Sequence, residues 1–424
     1  MRILFLANMY PPYDIGGYEQ ICHEVAIGLR DRGHTVKILT SRYGLSSPIP
    51  SENDVIRTLH LEADLNYYHP GDYFFSRSSR EHFNILELRT VLQEFSPDVA
   101  VVWGMYLLSV NLPYWLEQWM PGRIVYYIAS YWPKDQDPHS SYWRLPARSM
   151  IGEQIKKPLR ALALSQLRRE NYPPTLQFTR TLCCSEYVKD ILIKAGSIPE
   201  SSGVLHIGID PEPFTNHIGQ NKQINKGVLR LLYFGRLIED KGVHTAIEAL
   251  GLLKQHGYSE NINLTILGSG HPDYESRLHL LIKKFSLENQ INIAGKVPRE
   301  HIPTMLLDFD VFLFTSIWPE PFGRTIIEAM LAGLIVVGSD VGGSREIFSY
   351  YDTDLLYPAG DANILASRIA MLMDGSKDKG KLVQCGKKLA LESFSLDIMI
   401  SRLENYLFDL VDQNKIIASA TPHL

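Results

Sequence analysis

The sequence predicts an α/β protein of two doubly wound domains, each built on a parallel sheet. Three observations carry this reading: the length, a repeated alternation of apolar runs with amphipathic segments, and one polar stretch that interrupts it. With 424 residues, 45% of them apolar, the chain exceeds what one hydrophobic core usually supports. Its short apolar runs are near-continuous rather than alternating, as strands covered on both faces are.

The first half begins with "RILFLA" at 2–7, a loop, the amphipathic "GGYEQICHEVAIGLRDRGHTV" closed by Gly33, and "VKILT" at 36–40, which together read as a βαβ unit. Further strands are expected at "DVAVVW" (98–103), "RIVYYIA" (123–129), "TLCCS" (181–185) and "GVLHIGI" (203–209), with a helix over "REHFNILELRTVLQEF". Between Pro211 and Gly227 the text turns polar and loses periodicity, as a linker does, so the first domain is set at 1–212. The alternation restarts with "LRLLYFG" and runs through strands "INLTILGSG", "INIAGKV", "DVFLFTS", "LIVVGSD" and "DLLYP" with helices between, giving a second Rossmann-like domain over 213–395. The tail, 396–424, contains "LDIMISRLENYLFDLVDQ", whose apolar residues recur at helical spacing.

Composition excludes some classes. A net charge of −5 argues against sequence-independent nucleic-acid binding. The four cysteines show no CxxC spacing and read as reduced thiols, which fits a cytoplasmic protein. "MRILFLANMYPP" is too short an apolar run for a signal peptide and reads as a buried first strand. No apolar stretch reaches the roughly 18–20 residues of a spanning helix, so membrane contact is expected to be peripheral. A dinucleotide-dependent oxidoreductase needs GxGxxG directly after its first strand, and "ANMYPPYDIGGYEQ" lacks it.

In open α/β sheets ligands gather beyond the carboxyl ends of strands, so the loops there carry the chemistry. After "LLYFG" stand Arg236 and Lys241, the latter beside Gly242 where a helix starts; two cations at a helix N-terminus suit a diphosphate. The alternative is a solvated loop in which Glu239 and Asp240 pair those cations. Gly268 and Gly270 in "LGSG" leave room for a ring or ribose, or simply make a turn. In "WPEPFGRTIIEAMLAGLIVVGSD", Glu320 sits in a Pro/Gly turn and Glu328 on the following helix. A helix starting near Arg324 aligns three functions: Glu320 with the Phe322-Gly323 turn for sugar hydroxyls, the helix N-terminus for phosphate, and Glu328 for ribose hydroxyls. The alternative makes Glu320 an acid near the helix cap and Glu328 an exposed helical one.

"PEPFGRTIIEAMLAGLIVVGSDVGGSREI" resembles the Glu-X7-Glu segment of the retaining glycosyltransferases of family 4, "YFGRLIEDKGVHTAIEAL" is similar to their donor-phosphate segment, and "YPPYDIGGYEQICHEVAIGLRDRGHTVKILT" to their first glycine loop and helix. The resemblance runs in order along nearly the whole chain. It implies the GT-B fold, two Rossmann-like domains facing across a cleft, with acceptor bound by the first, nucleotide sugar by the second, and the C-terminal helix crossing back to the first. It also implies transfer of a hexose-type sugar from a UDP- or GDP-linked donor, with retention and without a metal ion. The acceptor would be a carbohydrate, lipid-linked or small molecule. Arg236 and Lys241 would meet the donor diphosphate. Glu320, with Phe322, Gly323 and Arg324, would meet the sugar and phosphate, Glu328 the ribose and Gly268 the nucleoside, while Gly16 and Gly17 would approach from the first domain. Two departures stand out. Many relatives carry a His-Asp pair where this chain has Ala129 and Ser130, and an Asn where it has Ile207. A nucleotide-sugar epimerase of the same fold, or a non-catalytic nucleotide-sugar binder, is the alternative.

The acceptor side is written less plainly. Residues 144–169 are basic, with Arg144, Arg148, Lys156, Lys157, Arg160, Arg168 and Arg169. Such a segment with apolar residues between its charges is either a solvated helical face or a peripheral contact with an anionic membrane, here its inner face. Trp132, Trp143, Tyr67, Tyr68 and Tyr73 suit sugar stacking or packing.

Overall fold

Two all-parallel sheets organise the chain. The computed structural model describes residues 1–13, 15–45, 54–65, 67–215, 227–258 and 261–420, with 414–420 as helix backbone alone. Most of the expected linker, residues 216–226, lies outside the described residues. The first sheet contains β1 (Arg2–Leu6), β2 (Thr35–Ser41), β3 (Val55–Leu59), β4 (Val99–Val102), β5 (Ile124–Ile128), β6 (Thr181–Cys183) and β7 (Gly203–Val204), in the order β3-β2-β1-β4-β5-β6-β7. The second contains β8 (Leu229–Phe234), β9 (Ile262–Leu267), β10 (Ile291–Gly295), β11 (Val311–Phe314), β12 (Ile335–Ser339) and β13 (Leu356–Tyr357), in the order β10-β9-β8-β11-β12-β13. The doubly wound parallel architecture expected from the apolar runs is present in both sheets.

Burial explains why those runs were readable. Strands β4, β5, β11 and β12 are buried at every position, so both faces select apolar residues. In each sheet the order reverses once, between β1 and β4 in the first and between β8 and β11 in the second. Loops leaving adjacent strands at such a reversal run to opposite faces and open a crevice between them.

Two compact units are formed: Met1–Cys184, Val188–Leu205 and Ile400–Leu424 in the first, Ser185–Tyr187 and His206–Met399 in the second. Within the first, the part of the C-terminal helix (Leu396–Ala420) from Ile400 on is held by Glu404, which accepts from Arg32 at 2.8 Å and bonds His34 Nε2 at 2.6 Å. Gly28 lies under the same helix; a Cβ there would stand 2.2 Å from Ile400 Cδ1, so a larger residue would require that side chain to shift.

Strand β3 was not among the expected strands, because Arg57 breaks its apolar run. Arg57 is nevertheless buried, its guanidinium donating to the Tyr10 and Pro11 carbonyls at 2.9 and 2.6 Å. The strand expected over 203–209 is a correction: only Gly203–Val204 pairs, and Ile209 instead bridges Ser395. Cys22, Cys183 and Cys184 are buried free thiols and Cys385 is an exposed one.

Candidate functional site

The reversal between β8 and β11 brings together the two loops that hold most of the predicted residues. After β8 the chain passes Arg236, makes a tight turn over Glu239–Lys241 and enters the Val243–Gln255 helix at Gly242. Gly242 is required twice over, by a φ of +61° and because a Cβ would stand 2.2 Å from the Thr315 carbonyl. The loop after β11 is fastened to this turn through backbone: Ile317 and Trp318 N–H donate to the Asp240 carbonyl at 2.9 and 3.1 Å, and Thr315 Oγ1 donates to the Lys241 carbonyl at 2.7 Å.

Across this seam Lys241 Nζ hydrogen-bonds Glu320 Oε1, and Ser316 Oγ donates to the same oxygen at 2.9 Å. Of the pairs the solvated-loop alternative calls for, Glu239 instead pairs Arg277 at 2.6 Å, while the loop's Arg236, Glu239 and Asp240 are exposed. Arg236 lies exposed just beyond β8, and among the described residues no acid pairs with it. Gly268 and Gly270 have a packing cause of their own. A Cβ on either would stand within 1.8 or 1.7 Å of the Gly235 or Leu237 carbonyl, and Leu237 and Gly270 form a β-bridge.

The Glu320 turn is braced by residues that were not assigned from the sequence. Gly343 N–H donates to the Glu320 carbonyl at 2.9 Å, and a Cβ on Gly342 would stand 2.1 Å from that oxygen. Adjacent glycines after a strand, in "SDVGGS", were the available signal. Ser185 Oγ donates to the Pro321 carbonyl at 2.6 Å, and Phe322 is buried against His206 and Phe394. The Phe322 ring is therefore a packing element, and what this turn offers a ligand is backbone. His206 in turn bonds Glu346, whose carboxylate also accepts the Glu186 and Tyr187 amides at 3.0 and 2.8 Å. Burial pushes the Glu346 pKa up, but those three donors outweigh it and hold the carboxyl below its usual range.

Gly323, at φ +107°, starts the Arg324–Leu331 helix at the residue expected. Glu328, one turn in, is only 9% exposed, so it is not the solvated helical acid of the alternative reading. Its Oε1 accepts from Arg324 Nε at 2.9 Å and lies 3.6 Å from Arg299 Nη2, a cation that no sequence signal had marked.

Gly16 and Gly17 belong to the first unit and start its Gly17–Asp31 helix at the reversal between β1 and β4. The Tyr18 hydroxyl donates to the Trp103 and Tyr127 carbonyls and ties that helix end to the strands. Ala129 and Ser130 follow β5 with no imidazole in their place.

Known protein families give this geometry a context. Residues 15–213 match the model described as Glycosyltransferase Family 4, and residues 215–389 match the model described as Glycosyl transferases group 1. The chain belongs to glycosyltransferase family 4. An amylovoran biosynthesis glycosyltransferase of Erwinia amylovora is 32% identical over 51% of this chain and 53% of its own length. The match thus spans about half of that relative, and it spans 43% of a putative colanic acid biosynthesis glycosyltransferase of Salmonella typhimurium at 34% identity over 41% of this chain. An uncharacterized glycosyltransferase of Methanocaldococcus jannaschii is 24% identical over 94% of this chain and 95% of its own. Among solved structures, a glycosyltransferase from Rickettsia africae superposes with a TM-score of 0.68 at 19% identity, covering 97% of this chain and 98% of that one. An Anabaena protein crystallised with UDP gives 0.67 at 19% identity over 96% and 100%. The fold is GT-B, two Rossmann-like domains.

This family 4 chain also buries a second ionisable cluster, in its first unit. Glu62 bonds the Tyr172 hydroxyl and lies 3.6 Å from His139 Nε2, while His139 Nδ1 bonds Tyr68 at 2.8 Å. Burial pushes the Glu62 pKa up to about 8 and that of His139 down to about 3, so both are neutral at pH 7. The folded state then holds a proton that the unfolded chain releases above the ordinary carboxyl range. Stability from Glu62 is full at acidic pH and is lost as pH rises toward 8, whereas keeping His139 neutral costs stability as pH falls below the ordinary imidazole range. Glu62→Gln, which cannot ionise, is expected to raise Tm at pH 8.5 by about 5 °C or more and to lose that advantage near pH 5, as calorimetry at the two pH values would read.

Proposed function

We propose that this chain transfers a hexose-type sugar from a UDP- or GDP-linked donor to an acceptor hydroxyl with retention of anomeric configuration. The observation that carries the reading is the Lys241–Glu320 pair fastened across the β8/β11 crevice, with the Arg324–Leu331 helix starting just beyond it. Lys241 and the exposed Arg236 supply positive charge for a diphosphate, and the first amides of the helix add donors that need no reorganisation. Glu320 accepts from sugar hydroxyls at one end and Glu328 from ribose hydroxyls at the other, each already oriented by a neighbouring donor. The division of labour follows the domains, with nucleotide sugar on 213–395, acceptor on 1–212, and Gly16 and Gly17 approaching the phosphates.

As the bond from the anomeric carbon to the phosphate oxygen lengthens, negative charge grows on the leaving diphosphate, where Lys241, Arg236 and the helix amides stabilise it. The acceptor oxygen attacks from the same face, and its proton passes to the departing phosphate. The charge is balanced by protein alone, so turnover should be unchanged by EDTA. Relatives named for amylovoran and colanic acid biosynthesis support a carbohydrate or lipid-linked acceptor in glycan assembly. Free thiols fit a cytoplasmic setting. The reading is tested by incubating the protein with UDP- and GDP-sugars and a panel of acceptors while following nucleoside diphosphate release and the product's anomeric proton by NMR. Release coupled to a retained product supports it. Interconversion of the nucleotide sugar without acceptor would mark an epimerase, and donor binding without release a non-catalytic binder.

A further inference from the structure

The Met150–Arg169 helix carries two apolar arcs, and only one of them is used by the fold. Ala163 and Leu167 turn inward to pack with Tyr73 and Trp143, the Tyr73 hydroxyl donating to the Ala163 carbonyl at 2.9 Å. Lys156 turns inward as well, its Nζ 3.7 Å from the centre of the Tyr142 ring. On a different side, Ile151, Ile155 and Leu162 are 75%, 63% and 57% exposed, and Met150 at the helix start is 87% exposed. Spacings of four and seven residues put Ile151, Ile155 and Leu162 on one stripe. Scattered exposed apolar side chains are ordinary, but a stripe of large ones on a single helix face is not.

Charge decides what covers it. Arg148, just before the helix, and Lys157, Arg168 and Arg169 on it are exposed as well. The acid within 144–169, Glu153, pairs with Arg160 at 2.8 Å, and among the described residues none of those four cations forms an ion pair. A second copy docking through this face would bring like charges together. No helix among the described residues is long and apolar enough to cross a membrane, so contact would be lateral. We propose that this helix lies in the headgroup layer of an anionic phospholipid bilayer, with Ile151, Ile155 and Leu162 in the acyl boundary and the cations on lipid phosphates. At helical rise it covers about 30 Å of membrane surface.

The test is co-sedimentation of the full chain with vesicles of phosphatidylcholine alone or with about one-third phosphatidylglycerol, without any sugar donor, so that its result is independent of the transfer reaction. The proposal expects at least about tenfold more protein bound to the anionic vesicles, falling as salt rises past about 0.5 M. Ile151→Glu/Ile155→Glu/Leu162→Glu is expected to cut binding about tenfold or more, Lys157→Glu/Arg169→Glu similarly, and both with unchanged Tm because every replaced side chain is exposed. Equal binding to the two vesicle types, or undiminished binding by both folded variants, overturns the proposal. So does a wild-type dimer in sedimentation velocity that the Ile/Leu variant abolishes, since a second copy would then be the occupant.

Discussion

Lys241→Ala lowers kcat/KM for sugar transfer by about 10²- to 10³-fold, the scale of removing one preorganised charge partner from a developing oxyanion. The side chain reaches across the seam to Glu320, yet the seam itself is made by the Lys241 carbonyl, which Thr315 holds at 2.7 Å, and by the Asp240 carbonyl, which Ile317 and Trp318 hold. Alanine keeps all of these. Glu320 retains the Ser316 donor and some solvent access, so no wholly buried unpaired charge is left behind. The variant should therefore melt within about 4 °C of wild type while turning over slowly. Steady-state kinetics beside a thermal melt separates the two effects; a large fall in Tm would reassign Lys241 to stability.

Glu328→Ala is expected to act on binding more than on turnover. A carboxylate that accepts two vicinal hydroxyls contributes about 1.5–3 kcal/mol, which corresponds to a rise of roughly 10- to 100-fold in donor KM with kcat changed much less. Arg324 and Arg299 orient the carboxylate through Oε1, so truncation also leaves two cations without that acceptor. Glu328→Gln keeps the shape and loses the charge, and should fall between alanine and wild type. Initial-rate series over donor concentration for the three proteins check this. An unchanged donor KM in both variants would remove Glu328 from the site.

The sheets were legible because their strands are covered on both faces and so leave unbroken apolar runs. β3 was not, because its central Arg57 is satisfied by carbonyls from Tyr10 and Pro11, some 46 residues away in sequence. The opposite error, reading all of "GVLHIGI" as strand, arose because an apolar run looks the same whether its backbone pairs in a ladder or, as at Ile209, makes a single bridge.

For the candidate site, sequence spacing gave the helix start at Arg324 and the placement of Glu320 and Glu328 on either side of Gly323. It gave no view of the Lys241–Glu320 bond, which joins residues 79 apart through the strand order, nor of Arg299 or the Gly342-Gly343 brace. The basic segment was ambiguous for a different reason. Its apolar residues fall on two arcs of one helix, and only burial tells which arc the fold uses.

The most direct measurement is calorimetric titration of the protein with UDP, GDP and ADP, repeated on Lys241→Ala and Glu328→Ala. The account predicts that UDP or GDP binds wild type and that each variant binds it at least about tenfold more weakly, a loss of about 1.4 kcal/mol or more. A nucleoside diphosphate bound with the same affinity by all three proteins would contradict it.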